Sequence, residues 1–272
     1  MDVTIGAVLD QAHRAALRAT ALARKAIADR DLADFELRPK GAAGDVVSSA
    51  DIESERLIVA EIHHAFPEHR IVSEEGGGVD AASEWTWLVD PLDGTNNVAL
   101  GLPLYGSCVT LCHRGEAVVA AIYVAHEDVT YSAIRGGGAF RDGTPIRICH
   151  QVLPQHATVS WINGYAVTPD DDLAVRAQAL LARRFKRLLN LWSPSVDWSL
   201  LVSGHTGALV AYKNEPEDLL CGVLIAAEAG ARLTDLDGHQ VSDVRAVDGI
   251  VVAAPNVAPY LAEVLAELGS AC

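Results

Sequence analysis

Trp87-Leu88-Val89-Asp90-Pro91-Leu92-Asp93-Gly94-Thr95-Asn96 is an apolar run that ends abruptly in two carboxylates, a glycine and a hydroxyl. The residues from Trp85 to Val89 are rich in aromatic and branched side chains and flanked by turn formers, the composition of a short buried strand with Asp90 at its exit. Pro91 disfavours a helical conformation at Asp90. The chain is therefore expected to turn there, with Asp93 pointing back at whatever Asp90 faces. If a helix starts at Gly94, the free amides of Gly94 and Thr95 face an anion. Hard oxygen ligands beside a phosphate cradle suit magnesium.

The rest of the chain bounds what such a site can belong to. A length of 272 residues, half of them apolar, allows one large domain or two modest ones with a substantial core. A formal net charge of -15 argues against non-specific binding of a nucleic-acid polymer, which depends on Lys and Arg neutralising phosphates. An acidic protein that handles a phosphate needs bound cations. The five cysteines, Cys108, Cys112, Cys149, Cys221 and Cys272, show no disulfide-framework spacing, and Met1-Asp2-Val3-Thr4 lacks the basic and apolar regions of a signal peptide. A cytoplasmic location is the expectation, and no apolar run approaches the roughly 20 residues that span a bilayer. Cys108 and Cys112 are expected to share one face of a strand as small buried side chains.

Residues 5–30 place Ile5, Leu9, Ala12, Ala16 and Ala23 at helical spacing, and Asp51 to Phe66 does the same with Leu57, Ile58, Ile62 and Phe66. These helices bracket a loop from Pro39 to Asp51. Branched runs then follow at Cys108 to Leu111, Val118 to Val124 and Val129 to Ile134, separated by glycine turns, which predicts an antiparallel meander. Beyond Cys149 strand and helix alternate: Thr158 to Ile162, a helix capped by Thr168 with Pro169 at its first position, Arg187 to Leu191, a further helix, Leu219 to Ala229 stopping at Gly230, Ile250 to Ala254, and Ala258 to Leu268. An α+β half, residues 1–149, is thus expected before an α/β half, residues 150–272, with no linker between them.

Four further acidic positions stand where loops or helix starts present them: Asp45, Asp51, Glu74-Glu75 and Asp218. Singly, each has an ordinary reading. Asp45, Asp51 and Asp218 fit helix caps, and Glu74-Glu75-Gly76-Gly77-Gly78 fits a solvated turn after a strand from Arg70 to Ser73. In order, however, they form a set with the opening stretch: an aspartate pair before a helix, Glu-Glu-Gly after a strand, Asp-Pro-Leu-Asp-Gly-Thr after a strand, and an aspartate before a helix that ends Glu228-Ala229-Gly230.

This set, with the Gly137-Gly138-Ala139-Phe140 turn and Gly238 after Leu233-Thr234-Asp235, resembles the inositol monophosphatase family of magnesium-dependent, lithium-sensitive phosphatases nearly end to end. The resemblance implies a layered α/β/α/β/α sandwich with an antiparallel N-terminal sheet and a mixed C-terminal sheet, the site at the junction of the halves, and a homodimer. It implies two or three Mg2+ ions: one on Glu74, Asp90 and the carbonyl of Leu92, another on Asp90, Asp93 and Asp218. Glu74 would orient the attacking water, Thr95 paired to Asp51 would take part in its activation, and Asp93, Gly94 and Thr95 would hold the phosphate. The partner implied is a small phosphorylated substrate.

The chain departs from the family on the side of the leaving group. Glu217 replaces the usual aromatic residue before the late aspartate, and Ala211, Tyr212 and Lys213 stand where an inositol-binding acid is expected. Trp192-Ser193-Pro194-Ser195 replaces a small-residue segment, followed by Asp197 where the family commonly has an aspartate. Trp192 fits either a core ring or one that stacks a sugar or base, and Lys213 either a solvated loop or a contact to a second phosphate. Trp192, Ser193 and Lys213 are therefore the candidate substrate-selecting residues. Inositol 1-phosphate or a related sugar or polyol phosphate is the default substrate. Histidinol phosphate, fructose 1,6-bisphosphate and a nucleoside phosphate are alternatives, and a non-catalytic regulatory protein keeping the fold is the reading from another class. His205, His63 and His64 read as surface or structural, and Lys40 as either a phosphate contact or a loop charge.

Overall fold

The computed structural model describes residues 3–28, 35–40, 45–149 and 151–269. Gly44, Cys272 and the end of the first predicted helix lie outside them. Helix α1 (Val3–Ala28) buries Leu9, Ala12, Ala15, Ala16, Ala19 and Ala23, spaced three and four apart, so one narrow stripe of small side chains lies close against its neighbours. The segment read as a loop from Pro39 to Asp51 is instead a two-stranded hairpin, β1 (Leu37–Lys40) and β2 (Asp45–Ser48), running into α2 (Ser49–Ala65). Its strands are four residues each, too short for sequence alternation to reveal them.

A seven-stranded sheet follows: β3 (Arg70–Ser73), β4 (Trp85–Asp93), then, after the one-turn helix α3 (Thr95–Ala99), β5 (Gly106–His113), β6 (Glu116–Val124), β7 (Val129–Ile134), β8 (Gly138–Arg141) and β9 (Thr144–Ile146). Strands β4 to β9 are the expected antiparallel meander, while the edge strand β3 runs parallel to β4. The second half contributes β10 (Thr158–Asn163), α4 (Asp172–Arg184), β11 (Arg187–Leu189), α5 (Pro194–Val202), β12 (Ala208–Tyr212), α6 (Pro216–Glu228), β13 (Arg232–Asp235), β14 (Gly249–Ala253) and α7 (Ala258–Gly269). Its five strands form a mixed sheet in the order β11-β10-β12-β14-β13. The cap of α4 is Asp171, whose side chain accepts from the amide of Ala174, rather than Thr168. An aspartate at that position is the stronger competitor because it carries charge as well as an acceptor to the helix start.

Helices α1 and α2 cover one face of the large sheet, α5 and α6 fill the space between the sheets, and α4 and α7 cover the far face of the small sheet. The core between the sheets draws on both halves of the chain, from Ile122 and Tyr131 to Trp161, Trp198, Leu209 and Ile225, and Cys108 and Cys112 both face it. Gly222 allows α6 to meet α5: a Cβ added there would lie 2.0 Å from the ring of buried Trp198. Among the described residues no helix is long and apolar enough to cross a membrane.

Candidate active site

Strand β4 does not end at Asp90. It continues through Pro91 to Asp93, with Asp90 opposite Cys108 and Asp93 opposite Gly106 on β5, so three steps on one strand match two on the other. In a regular strand residues three apart face opposite sides. The bulge absorbs one residue and brings both carboxylates to the same cleft, the re-aiming that bulges commonly achieve. Hydrogen bonds fix the distorted segment: the amide of Leu92 donates to Asp90 Oδ1 at 3.1 Å and Ser54 Oγ donates to the carbonyl of Pro91 at 3.0 Å.

Gly94 then turns the chain into α3 with φ at 87°, a left-handed conformation that glycine adopts without strain. A Cβ here would also lie 2.7 Å from the carbonyl of Leu104 and 2.9 Å from Ser193 Oγ. Thr95 Oγ1 donates to Asp51 Oδ1 at 2.9 Å and lies 2.8 Å from the carbonyl of Leu92. The N-cap of α2 is Ser48 rather than Asp45 or Asp51, and the third helical residue is Asp51. Its Oδ2 accepts from the amide of Ser48 at 2.8 Å, completing a capping box at the start of α2, while Oδ1 serves Thr95. Glu74 follows β3, which runs beside β4 in the register Ser73 to Val89, so that Glu74 lies next to Asp90. Asp218 stands in the first turn of α6, where the helix dipole favours an acid.

Asp90, Asp93, Glu74, Asp218, Gly94 and Thr95 all line one cleft of about 590 Å³ between the two sheets. Burial raises the pKa of Asp90 well above the usual carboxylate range, and Glu74, Asp93, Asp218 and Asp51 push it further. Burial raises Asp93 as well, against the hydrogen bonds from Ser195 and Ser193, and raises Asp51 against those from Ser48 and Thr95. For Asp218, which is open to the cleft, partial burial of the carboxyl and then Glu74, Asp93, Glu215 and Glu217 push the pKa up to about 7. Among the described residues, Lys40 is the one Lys or Arg in the lining. Burial lowers its pKa, but the pairing of Nζ at 2.7 Å to both Glu74 and Glu75 outweighs this and holds it charged.

Of the three substrate-selecting candidates, the structure brings one to the cleft. Trp192 lines it and is 58% exposed, so it is not a core ring. Ser193 is fully buried behind the wall, its Oγ donating to Asp93 Oδ2 at 2.7 Å alongside the amide of Ser195, also at 2.7 Å. Lys213 lies outside the lining because its ammonium is drawn to Asp171 Oδ2, 2.7 Å away, and sits over the ring of Tyr212. His205 pairs with Ser203, and His63 and His64 close the last turn of α2. Sequence reasoning missed Asn96, whose amide donates to Asp45 Oδ1 at 3.1 Å, and three residues after the small-sheet strands, Asn163, Tyr165 and Asn190, which line the cleft with Asn214 from the segment between Lys213 and Glu217 where the chain departs from the family. Their position at the carboxyl ends of parallel strands is the signal that would have found them.

Residues 6–270 match the inositol monophosphatase family, and the chain belongs to it. It is 30% identical over 203 residues to inositol-1-monophosphatase of Mesorhizobium japonicum, covering 72% of this chain and 74% of that one. It is 28% identical over 229 residues to the Nus factor SuhB of Vibrio cholerae, covering 84% and 85%. The fold is shared with the extragenic suppressor protein suhB of Bartonella henselae, with a TM-score of 0.80 at 24% identity over 95% of this chain and 98% of that one.

Proposed function

We propose that this protein is a magnesium-dependent phosphatase that hydrolyses a small phosphate monoester to an alcohol and inorganic phosphate. The observation that carries this reading is the cleft itself: Asp90, Asp93, Asp218 and Glu74 converge there with Lys40 as the sole Lys or Arg of the lining among the described residues. Carboxylates so crowded in one cleft need cations, and a set made wholly of hard oxygens, with the Leu92 carbonyl available beside Asp90, fits magnesium. Glu74, Asp90 and Leu92 would hold one ion, and Asp90, Asp93 and Asp218 another. Such ions, when bound, lower the pKa of an attacking water and neutralise charge growing on the leaving oxygen.

The chain's own groups supply position and proton handling. Thr95 Oγ1 gives its proton to Asp51 Oδ1, which leaves the hydroxyl lone pairs as acceptors for a water proton. Asp51, raised by burial, is the better base for receiving it. The first amides of α3 have no acceptor within the helix and are available to phosphate oxygens. Ser193 and Ser195 hold Asp93 Oδ2, so that Oδ1 is the oxygen left to serve the cleft.

The test is phosphate release from a panel of sugar, polyol, amino-alcohol and nucleotide phosphates, with magnesium and with a chelator. Release that requires magnesium is expected; none from any ester defeats the reading and favours a binding role instead. A homodimer belongs to the same proposal, and light scattering should give twice the 28.8 kDa chain mass; a monomer would contradict it.

A further inference from the structure

Strands β11, β10 and β12 are adjacent and parallel, and the residues just beyond their carboxyl ends line the cleft. Each strand delivers an asparagine there: Asn163 ends β10, Asn190 follows β11, and Asn214 lies two residues beyond β12. The Oδ1 of Asn214 is buried with no hydrogen-bond partner, which is costly unless a ligand donates to it. The Oδ1 of Asn163 accepts from Trp161 Nε1 and so fixes which way that amide faces.

Two large rings stand with the amides. Tyr165 is 73% exposed and Trp192 58% exposed, although both line the cleft. Partial burial of the Tyr165 hydroxyl, followed by the charges of Asp45, Glu74 and Asp218, raises its pKa to about 12. Trp192 is held with φ at 54°, a conformation unfavourable for a bulky residue, and the segment before it is pinned where Asn97 Nδ2 donates to the carbonyl of Leu191 at 2.7 Å.

We infer that Tyr165, Trp192, Asn163, Asn190 and Asn214 bind the alcohol part of the substrate and select one bearing a flat, neutral heteroaromatic ring over a polyol. This rests on the phosphatase reading and extends it to the substrate class. A flat ring offers π faces to Tyr165 and Trp192, and its edge offers the adjacent donors and acceptors that carboxamides match. A polyol presents hydroxyls radially and is best met by acceptors of full charge, whereas the side chains that Asn163, Asn190 and Asn214 bring to the lining are carboxamides, the carboxylates Glu217 and Asp218 standing beyond them in the first turn of α6.

Magnesium-loaded protein tests this through kcat/KM for inositol 1-phosphate, glycerol 2-phosphate, a nucleoside monophosphate and the phosphate of an imidazole-bearing alcohol. At least one heteroaromatic ester should exceed inositol 1-phosphate by about tenfold or more, the order of one stacking contact. That preference should shrink about tenfold in Trp192→Ala and largely survive in Trp192→Phe. An inositol ester turned over as well as the aromatic ones, or a Trp192→Ala loss equal for every ester, overturns the selectivity and leaves the phosphatase standing. Turnover of no ester overturns both.

Discussion

Asp93 illustrates how much one side chain is asked to do. One oxygen is fixed to the protein by Ser193 and Ser195, and the other faces a cleft crowded with acids. In Asp93→Asn the amide oxygen keeps those two hydrogen bonds while the NH2 replaces the ligand oxygen. Turnover should fall by more than about a hundredfold, beyond the loss typical of a supporting residue, with the unfolding temperature nearly unchanged. Near-normal activity would sink the two-ion assignment. Asp197 makes a different prediction. It is 1% exposed on α5, its Oδ1 has no hydrogen-bond partner, and burial pushes its pKa up to about 8. The unfolded chain ionises near 3.8, so this group's contribution is fully present below that value and is lost as pH rises toward 8. Asp197→Asn should therefore gain stability over the parent at pH 8, on the order of a few kcal/mol, and little at pH 4. Equal differences at both pH values in thermal unfolding would show that the carboxyl is not the cause.

At the scale of elements, the site depends on how α6 is seated. Its first turn carries Asp218, its middle touches α5 through Gly222, and its last residue, Glu228, accepts from the amides of Gly136 at 2.7 Å and Gly138 at 2.9 Å in the turn between β7 and β8. Gly222→Ala drives a methyl into the Trp198 ring, which is buried and has nowhere to go. A loss of about 1–3 kcal/mol is expected from denaturant midpoints, with a fall in activity because α6 and Asp218 shift together. An unchanged midpoint would mean that the helices separate freely. The hairpin of β1 and β2 matters in the same way, since it brings Lys40 to Glu74 and Asp45 to Asn96.

Across the whole molecule, the two sheets meet over a cleft where Asp90, Asp93 and Asp218 have raised pKa values, a crowding that bound divalent ions would relieve only in the folded chain. Saturating magnesium at about 100 times its dissociation constant should add roughly 2.7 kcal/mol. Protons compete for carboxyls such as Asp218, near 7, so the magnesium-induced rise in unfolding temperature should be larger at pH 8 than at pH 6. No response to magnesium at either pH would count against the ion site. Much of this was legible in the sequence: the strand into Asp90, the helix beginning after Gly94, the meander, and the acidic set of Asp51, Glu74, Asp90, Asp93 and Asp218 with the family it belongs to. Those features are local, set by periodicity and by residue types that only certain backbones accept. Three things waited for the tertiary structure: the bulge that turns Asp90 and Asp93 to one side, the seating of Lys213 and Ser193 away from the cleft, and the convergence of Asn163, Tyr165, Asn190, Trp192 and Asn214. Each depends on which strand lies beside which, and no short-range pattern in a chain records that.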